Sequence, residues 1–220
     1  QTGQMWLEHE LLSKPDSKGF FCVSTSYRQE PNAIPGRHDI IFPMFEFEMP
    51  GSVDDLKAME IELCDYLGFD PLTEKTYREW QQHWGVSADT EMDDSHEKAM
   101  EMNFGSCLIT DFPELTSPFW NMARNDDGNT AKKMDVILGG METIGSAERS
   151  CDVDMMRDTF HSIVDGEYAQ LLYKLFGKER VEAELEEFLK FDFFQRVGGG
   201  IGVTRMIPAL EKINALAKAA

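Results

Sequence analysis

Gly198-Gly199-Gly200-Ile201-Gly202-Val203-Thr204-Arg205 is the sharpest local signal in this chain of 220 residues. Glycine has no Cβ, so its backbone can approach a ligand closely. An arginine opening the helix that follows adds a fixed cation near a helix N-terminus, where anions are favoured. The run is neither GxGxxG nor GxxxxGK(S/T) in a strand–helix–strand setting, which excludes a dinucleotide-binding fold and a P-loop. It reads as a glycine-rich strand or turn, and Thr204 to the C-terminus reads as a last helix.

Two upstream segments read as strands. Phe20 to Tyr27 is rich in β-forming residues, and Ile40 to Met49 sets Glu46 and Glu48 in alternation with Phe45, Phe47 and Met49. Pro31 to Gly36 between them reads as a loop, so the pair forms a long antiparallel hairpin. Ser106 to Thr110 and Met134 to Leu138 are further strands, and Asn125 to Asn129 is an exposed turn. Helices are expected over residues 1–13, from the N-cap Ser52 to about Leu67, over Asp152 to Phe176 and over Val181 to Leu189. Residues 72–103 read as a helical insertion with connectors. Strands and helices do not alternate regularly, which predicts an α+β fold with an antiparallel β-sheet flanked by helices, in a single domain over 1–220.

Charge narrows the partners. Twenty-one Lys and Arg stand against 40 Asp and Glu, a net charge of −19. That field opposes a large nucleic-acid footprint and an anionic membrane surface. A small anionic ligand remains compatible, because a pocket can gather a few arginines inside an acidic shell. No apolar run of membrane-spanning length occurs, and the N-terminus carries no signal segment, so the expected location is cytoplasmic. Cys22, Cys64, Cys107 and Cys151 have no zinc-site spacing and read as reduced, mostly buried thiols.

Several residues could carry chemistry, each also readable as ordinary structure. Arg28 and Glu30 share a strand face, where the arginine can grip a phosphate with two donors and the glutamate can accept from an amine. Alone, they would be a solvated pair at a strand end. Arg37 and His38 lie in the loop, able to reach distal phosphates, and Phe42 offers a ring for stacking. Asp135 and Glu142 flank a Gly139-Gly140 turn, so two carboxylates at one hairpin mouth can share a hard cation such as Mg²⁺. In so acidic a chain they can equally be surface acids.

Taken in order, Arg-x-Glu, Arg-His, Phe, a carboxylate pair and Gly-Gly-Gly-Ile-Gly-x-x-Arg resemble the catalytic core of class II aminoacyl-tRNA synthetases. Arg28 and Glu30 fall on motif 2, and Gly198 to Arg205 on motif 3. The aspartyl/asparaginyl subgroup is the nearest likeness. Thr2-Gly3-Gln4-Met5-Trp6-Leu7-Glu8 is similar to its "SGQLYLE" segment, and Asn125 to Val136 to its "NDDGKTVAAMDV" stretch. The chain departs from the subgroup at Ile41, where Glu is usual, and at Thr204, where Asp or Glu is usual.

The resemblance implies ATP and Mg²⁺ as cofactors and a role for each residue. Arg28 would hold the α-phosphate and Glu30 the adenine amine. Arg37 and His38 would meet the distal phosphates. Phe42 and Arg205 would sandwich the adenine, with Gly200 and Gly202 in the ATP site. Asp135 and Glu142 would hold the metal, Glu142 joining Arg28 and Arg205 as catalytic. Gln4 and Arg149 would bind the amino acid, either aspartate or asparagine. It also places the dimer-building motif 1 before Gln1. No basic anticodon-binding segment is present, which is similar to stand-alone relatives that make asparagine from aspartate and ammonia. The leading expectation is therefore an AMP-forming ligase of that kind. The alternatives are the catalytic part of an asparaginyl- or aspartyl-tRNA synthetase, with tRNA as partner, and a catalytically silent relative that binds an amino acid or adenylate.

Overall fold

The computed structural model describes residues 3–28, 34 and 39–219, with the side chains of 215–219 excepted. Glu30, Arg37 and His38 lie outside the described residues.

Seven strands form one sheet in the order β1-β2-β7-β6-β5-β4-β3. They are β1 (Phe20–Tyr27), β2 (Ile41–Pro50), β3 (Thr73–Thr76), β4 (Cys107–Pro113), β5 (Thr130–Leu138), β6 (Met141–Arg149) and β7 (Arg196–Gly202). Every neighbouring pair is antiparallel except β3 with β4, which run parallel. The expected antiparallel α+β sheet is therefore present, and the glycine run lies in its interior between β2 and β6.

Helices cover both faces: α1 (Gln4–Ser13), α2 (Val53–Tyr66), α3 (Tyr77–Trp84), α4 (Asp94–Phe104), α5 (Val153–Ser162), α6 (Glu167–Phe176), α7 (Lys178–Phe188) and α8 (Val203–Ala219). Local chemistry sets several of their ends. Ser52 caps α2 and exchanges hydrogen bonds with Asp55 in a capping box. Thr76 and Glu79 do the same for α3, which stops at a left-handed Gly85. Gly139 and Gly140, at φ +63° and +77°, make the two-residue turn that joins β5 to β6. Positive φ at both positions is what such a hairpin turn demands.

The period-two alternation of the strands separates two layers. Phe47, Leu108, Met134, Val136, Leu138, Ile144 and Val197 face one way and pack with Leu56 and Cys64 of α2 and Met206 and Ala209 of α8. A second cluster gathers Cys107, Ile109, Phe112 and Ile137 under Tyr77 and Trp80 of α3 and Met100 of α4. A third joins Trp120 to α5, α6 and α7.

The structure differs from the expectation in places. Residues 72–103 hold the edge strand β3 together with α3 and most of α4. Its Thr-Glu-Lys-Thr sequence has no apolar alternation; parallel pairing with Cys107–Thr110 makes it a strand. The helical stretch 152–176 is broken at Ile163–Gly166, where Val164 and Asp165 take φ near +50°. Of the four cysteines, all free, Cys64 and Cys107 are buried, Cys22 is partly buried and Cys151 is exposed. Among the described residues, no helix is long and apolar enough to cross a membrane.

Candidate active site

The sheet face opposite the α2–α8 layer carries most of the candidate site residues. A Cβ on Gly200 would lie 2.6 Å from the Met44 methyl, and one on Gly198 would lie 2.0 Å from Glu48 Oε1. A Cβ on Gly145 would lie 2.8 Å from Glu142 Oε1 and 3.4 Å from Asp135 Oδ1. The glycines thus leave space that the side chains of Met44, Glu48 and Glu142 enter.

One cavity of about 380 Å³ opens on this face. Arg28, Phe42, Glu142, Gly200, Gly202 and Arg205 all line it. Arg28 follows the last residue of β1, and its guanidinium stands 5.3 Å from the centre of the Phe42 ring. Such a contact holds the planar cation by its attraction to the ring face. Arg205 sits in the first turn of α8, donates to the Glu142 carbonyl at 2.6 Å and lies 3.8 Å from its carboxylate. Two cations and an aromatic ring on one apolar-floored cavity suit a planar base carrying phosphates.

Glu142 also lines a neighbouring cavity of about 240 Å³ that Asp135 enters from β5. Asp135 is buried, and burial pushes its carboxyl up to about 7 despite the lowering pull of Lys133, with which it forms an ion pair. Its Oδ1 has no hydrogen-bond partner. Asp135 Oδ1 and Glu142 Oε1 flank the same point above Gly145, a donor pair that fits a hard divalent cation. Among the described residues no group of three or more His, Cys, Asp or Glu is arranged around a metal position, so other ligands would have to complete the shell.

Gln4 and Arg149 are brought together, but away from this cavity. With its oxygen facing its donors, the Gln4 amide accepts from Arg149 Nη2 at 2.7 Å and from Gly199 N at 3.1 Å. Arg149 is not a free cation: its Nε and Nη2 reach Glu48 Oε1 at 3.0 and 2.5 Å, and both side chains are buried. Burial raises the Glu48 carboxyl to about 7, with Arg149 pulling it back down. Beside them Glu46 accepts from Gly3 N at 2.9 Å and from Ser24 Oγ, while its Oε1 has no partner. A second buried pair, Arg196 to Glu8 at 2.6 Å, ties α1 to β7.

Sequence reasoning missed the roles of Glu46 and Glu48. The signal was the alternation itself: a strand with three large apolar residues on one face places both acids together on the other. Nothing local announces Glu8 and Arg196, which are 188 residues apart.

A mostly antiparallel seven-stranded sheet whose interior glycine strand feeds an arginine-bearing helix defines a class II synthetase catalytic core. The family described as tRNA synthetases class II (D, K and N) matches residues 1–219, and the chain belongs to it. Asparagine–tRNA ligase of Rhodopirellula baltica is 27% identical over 114 residues, 49% of this chain and 22% of that protein. The Xanthomonas euvesicatoria enzyme is 24% identical over 211 residues, 94% of this chain and 39% of that protein. The chain therefore spans well under half the length of these relatives. Asparaginyl-tRNA synthetase of Pyrococcus horikoshii complexed with asparaginyl-adenylate superposes with a TM-score of 0.76 at 18% identity, over 96% of this chain and 53% of that one. Aspartyl-tRNA synthetase from Entamoeba histolytica gives 0.73 at 18% identity, over 96% and 48%. These likenesses place the fold in the aspartyl/asparaginyl subgroup.

Proposed function

We propose that this site activates asparagine with ATP, joining the amino-acid carboxylate to the α-phosphate and releasing pyrophosphate. The observation that carries the reading is the gathering of Arg28, Phe42, Glu142, Gly200, Gly202 and Arg205 around one cavity. In this reading Arg28 steadies the charge that grows on the α-phosphate, and Arg205 binds a distal phosphate. Phe42 and the glycine floor take the adenine. Asp135 and Glu142 would hold Mg²⁺, which neutralises phosphate charge when bound. The acceleration comes from positioning and fixed charge, with no protein nucleophile.

The substrate side chain is read by its charge. Glu48 already matches the Arg149 guanidinium, and Gln4 takes a further donor. A second carboxylate there would face Glu48 and Glu46 across a buried layer, whereas a neutral amide can both donate and accept. This favours asparagine over aspartate. It also moves the reading away from amidation of aspartate by ammonia, as does the similarity to asparagine–tRNA ligases. Transfer of the activated asparagine to tRNA is the accompanying proposal.

Amino-acid-dependent ATP–pyrophosphate exchange tests this. Exchange with asparagine well above aspartate supports the reading. Exchange with aspartate, with AMP formation dependent on ammonia, would restore the amidating ligase. Absence of exchange with every amino acid, in protein that still binds ATP, would leave a silent binding protein.

A further inference from the structure

Lys132 and Lys133 precede Asp135 on β5. The two lysines lie on opposite faces of β5. Lys132 Nζ reaches Glu148 Oε1 at 3.0 Å. Lys133 shares the face of Asp135 and pairs with its Oδ2.

Lys133 is held there by construction. Its Nζ lies 3.6 Å from the centre of the Phe112 ring. Phe112 faces this way because of an irregularity in β4, where Asp111 takes φ +54° and the register shifts between Thr110 and Phe112. The turn of the backbone at Asp111 puts Phe112 on the same face as Cys107 and Ile109. The ammonium is thereby gripped by a ring below and a carboxylate beside it. Around the cavity stand Asp93, His96 and Glu97 of the neighbouring helix region, and Glu97 accepts from Glu142 N at 2.8 Å.

The consequence falls on Asp135. One of its oxygens is committed to Lys133, and only Oδ1, which has no partner, remains on the Glu142 side. We propose that Lys133 is a built-in counter-ion that keeps the Asp135–Glu142 pair from binding a divalent cation on its own, so that the metal enters only with the phosphates of a nucleotide. The inference rests on reading that pair as the metal ligands. A fixed positive charge a few ångströms from the ion opposes it strongly in a buried setting. It also leaves Asp135 a single free oxygen, where hard cations want several.

The test is Mn²⁺ binding to the whole chain without nucleotide, followed by electron paramagnetic resonance. The wild type is expected to bind weakly. Lys133→Met, which keeps the stem over Phe112, and Lys133→Ala should each bind at least about tenfold tighter. Lys133→Arg, which keeps the charge, should behave as wild type. Adding Asp135→Asn to Lys133→Met should abolish the gain. Unchanged or weaker binding in both Lys133→Met and Lys133→Ala would overturn the proposal. A gain that survives both Asp135→Asn and Glu142→Gln would overturn it too, and would remove the pair as the metal site. Pyrophosphate exchange judges the adenylation reading separately.

Discussion

Arg149 Nη2 lies 2.5 Å from Glu48 Oε1 inside the protein, with Glu48 fully buried and Arg149 4% exposed. The two residues come from non-adjacent strands, β6 and β2, on either side of β7. The space between them exists because Gly198 has no side chain.

Removing one partner leaves the other charge buried and unpaired. Arg149→Leu is therefore expected to cost about 3–5 kcal/mol in urea unfolding. Arg149→Met combined with Glu48→Gln should recover a large part of that loss. A cost below about 1 kcal/mol for the single change would show that the pair carries little stability.

The glycine strand makes a two-position prediction. Gly198→Ala forces a Cβ to within 2.0 Å of a carboxylate that Arg149 holds in place. It should destabilise the fold by about 3 kcal/mol or more. Gly200→Ala meets only the end of the flexible Met44 side chain, at 2.6 Å. That variant should fold with a loss under about 1 kcal/mol, but should raise the KM for ATP several-fold by narrowing the cavity. Thermal unfolding and exchange kinetics together separate the two.

Arg28 and Arg205 are expected to act on the reaction and not on the fold. Each alanine variant should lower pyrophosphate exchange by at least about 100-fold, with a melting temperature close to wild type. Near-normal exchange in either would remove that arginine from the phosphate site.

Glu60 sets a pH dependence. It is buried on α2, and burial pushes its carboxyl up to about 8. The folded chain thus binds this proton more tightly than the unfolded chain, whose carboxylate titrates near its ordinary value of about 4. The stability tied to that proton is complete below about pH 4 and is lost as pH rises through about 8. Glu60→Gln should raise the melting temperature by several degrees at about pH 9. The gain should shrink steadily toward about pH 4, and an equal gain at both pH values would show that ionisation of Glu60 is not its source.

Much of the fold and of the site is legible in the amino-acid sequence. The β1–β2 hairpin follows from two β-rich segments, and β2 shows its sidedness in Phe45, Glu46, Phe47 and Glu48. The residues of motifs 2 and 3 stand in recognisable order, and Arg28, Gly200, Gly202 and Arg205 among them line one cavity. Other features are hidden for identifiable reasons. β3 is a polar tetrapeptide whose strand state comes from its neighbour. Arg149 reads locally as an available cation, and only the distant Glu48 shows that its charge is matched. The role of Lys133 needs the turn of Phe112 at an irregular strand position, which no spacing rule anticipates.

By itself the sequence determined the kind of sheet and, through the resemblance, the set of arginines, carboxylates and aromatic ring expected around a nucleotide. The kind of sheet depends on period-two alternation and turn glycines, which act over a few residues. Only the tertiary structure decided which charges face a ligand and which cancel one another. Pairings such as Glu48 with Arg149, Glu8 with Arg196 and Asp135 with Lys133 depend on strand order and on which side of each strand is buried. A buried charge is stable only beside its partner, so the finished packing fixes what each ionised group can still do.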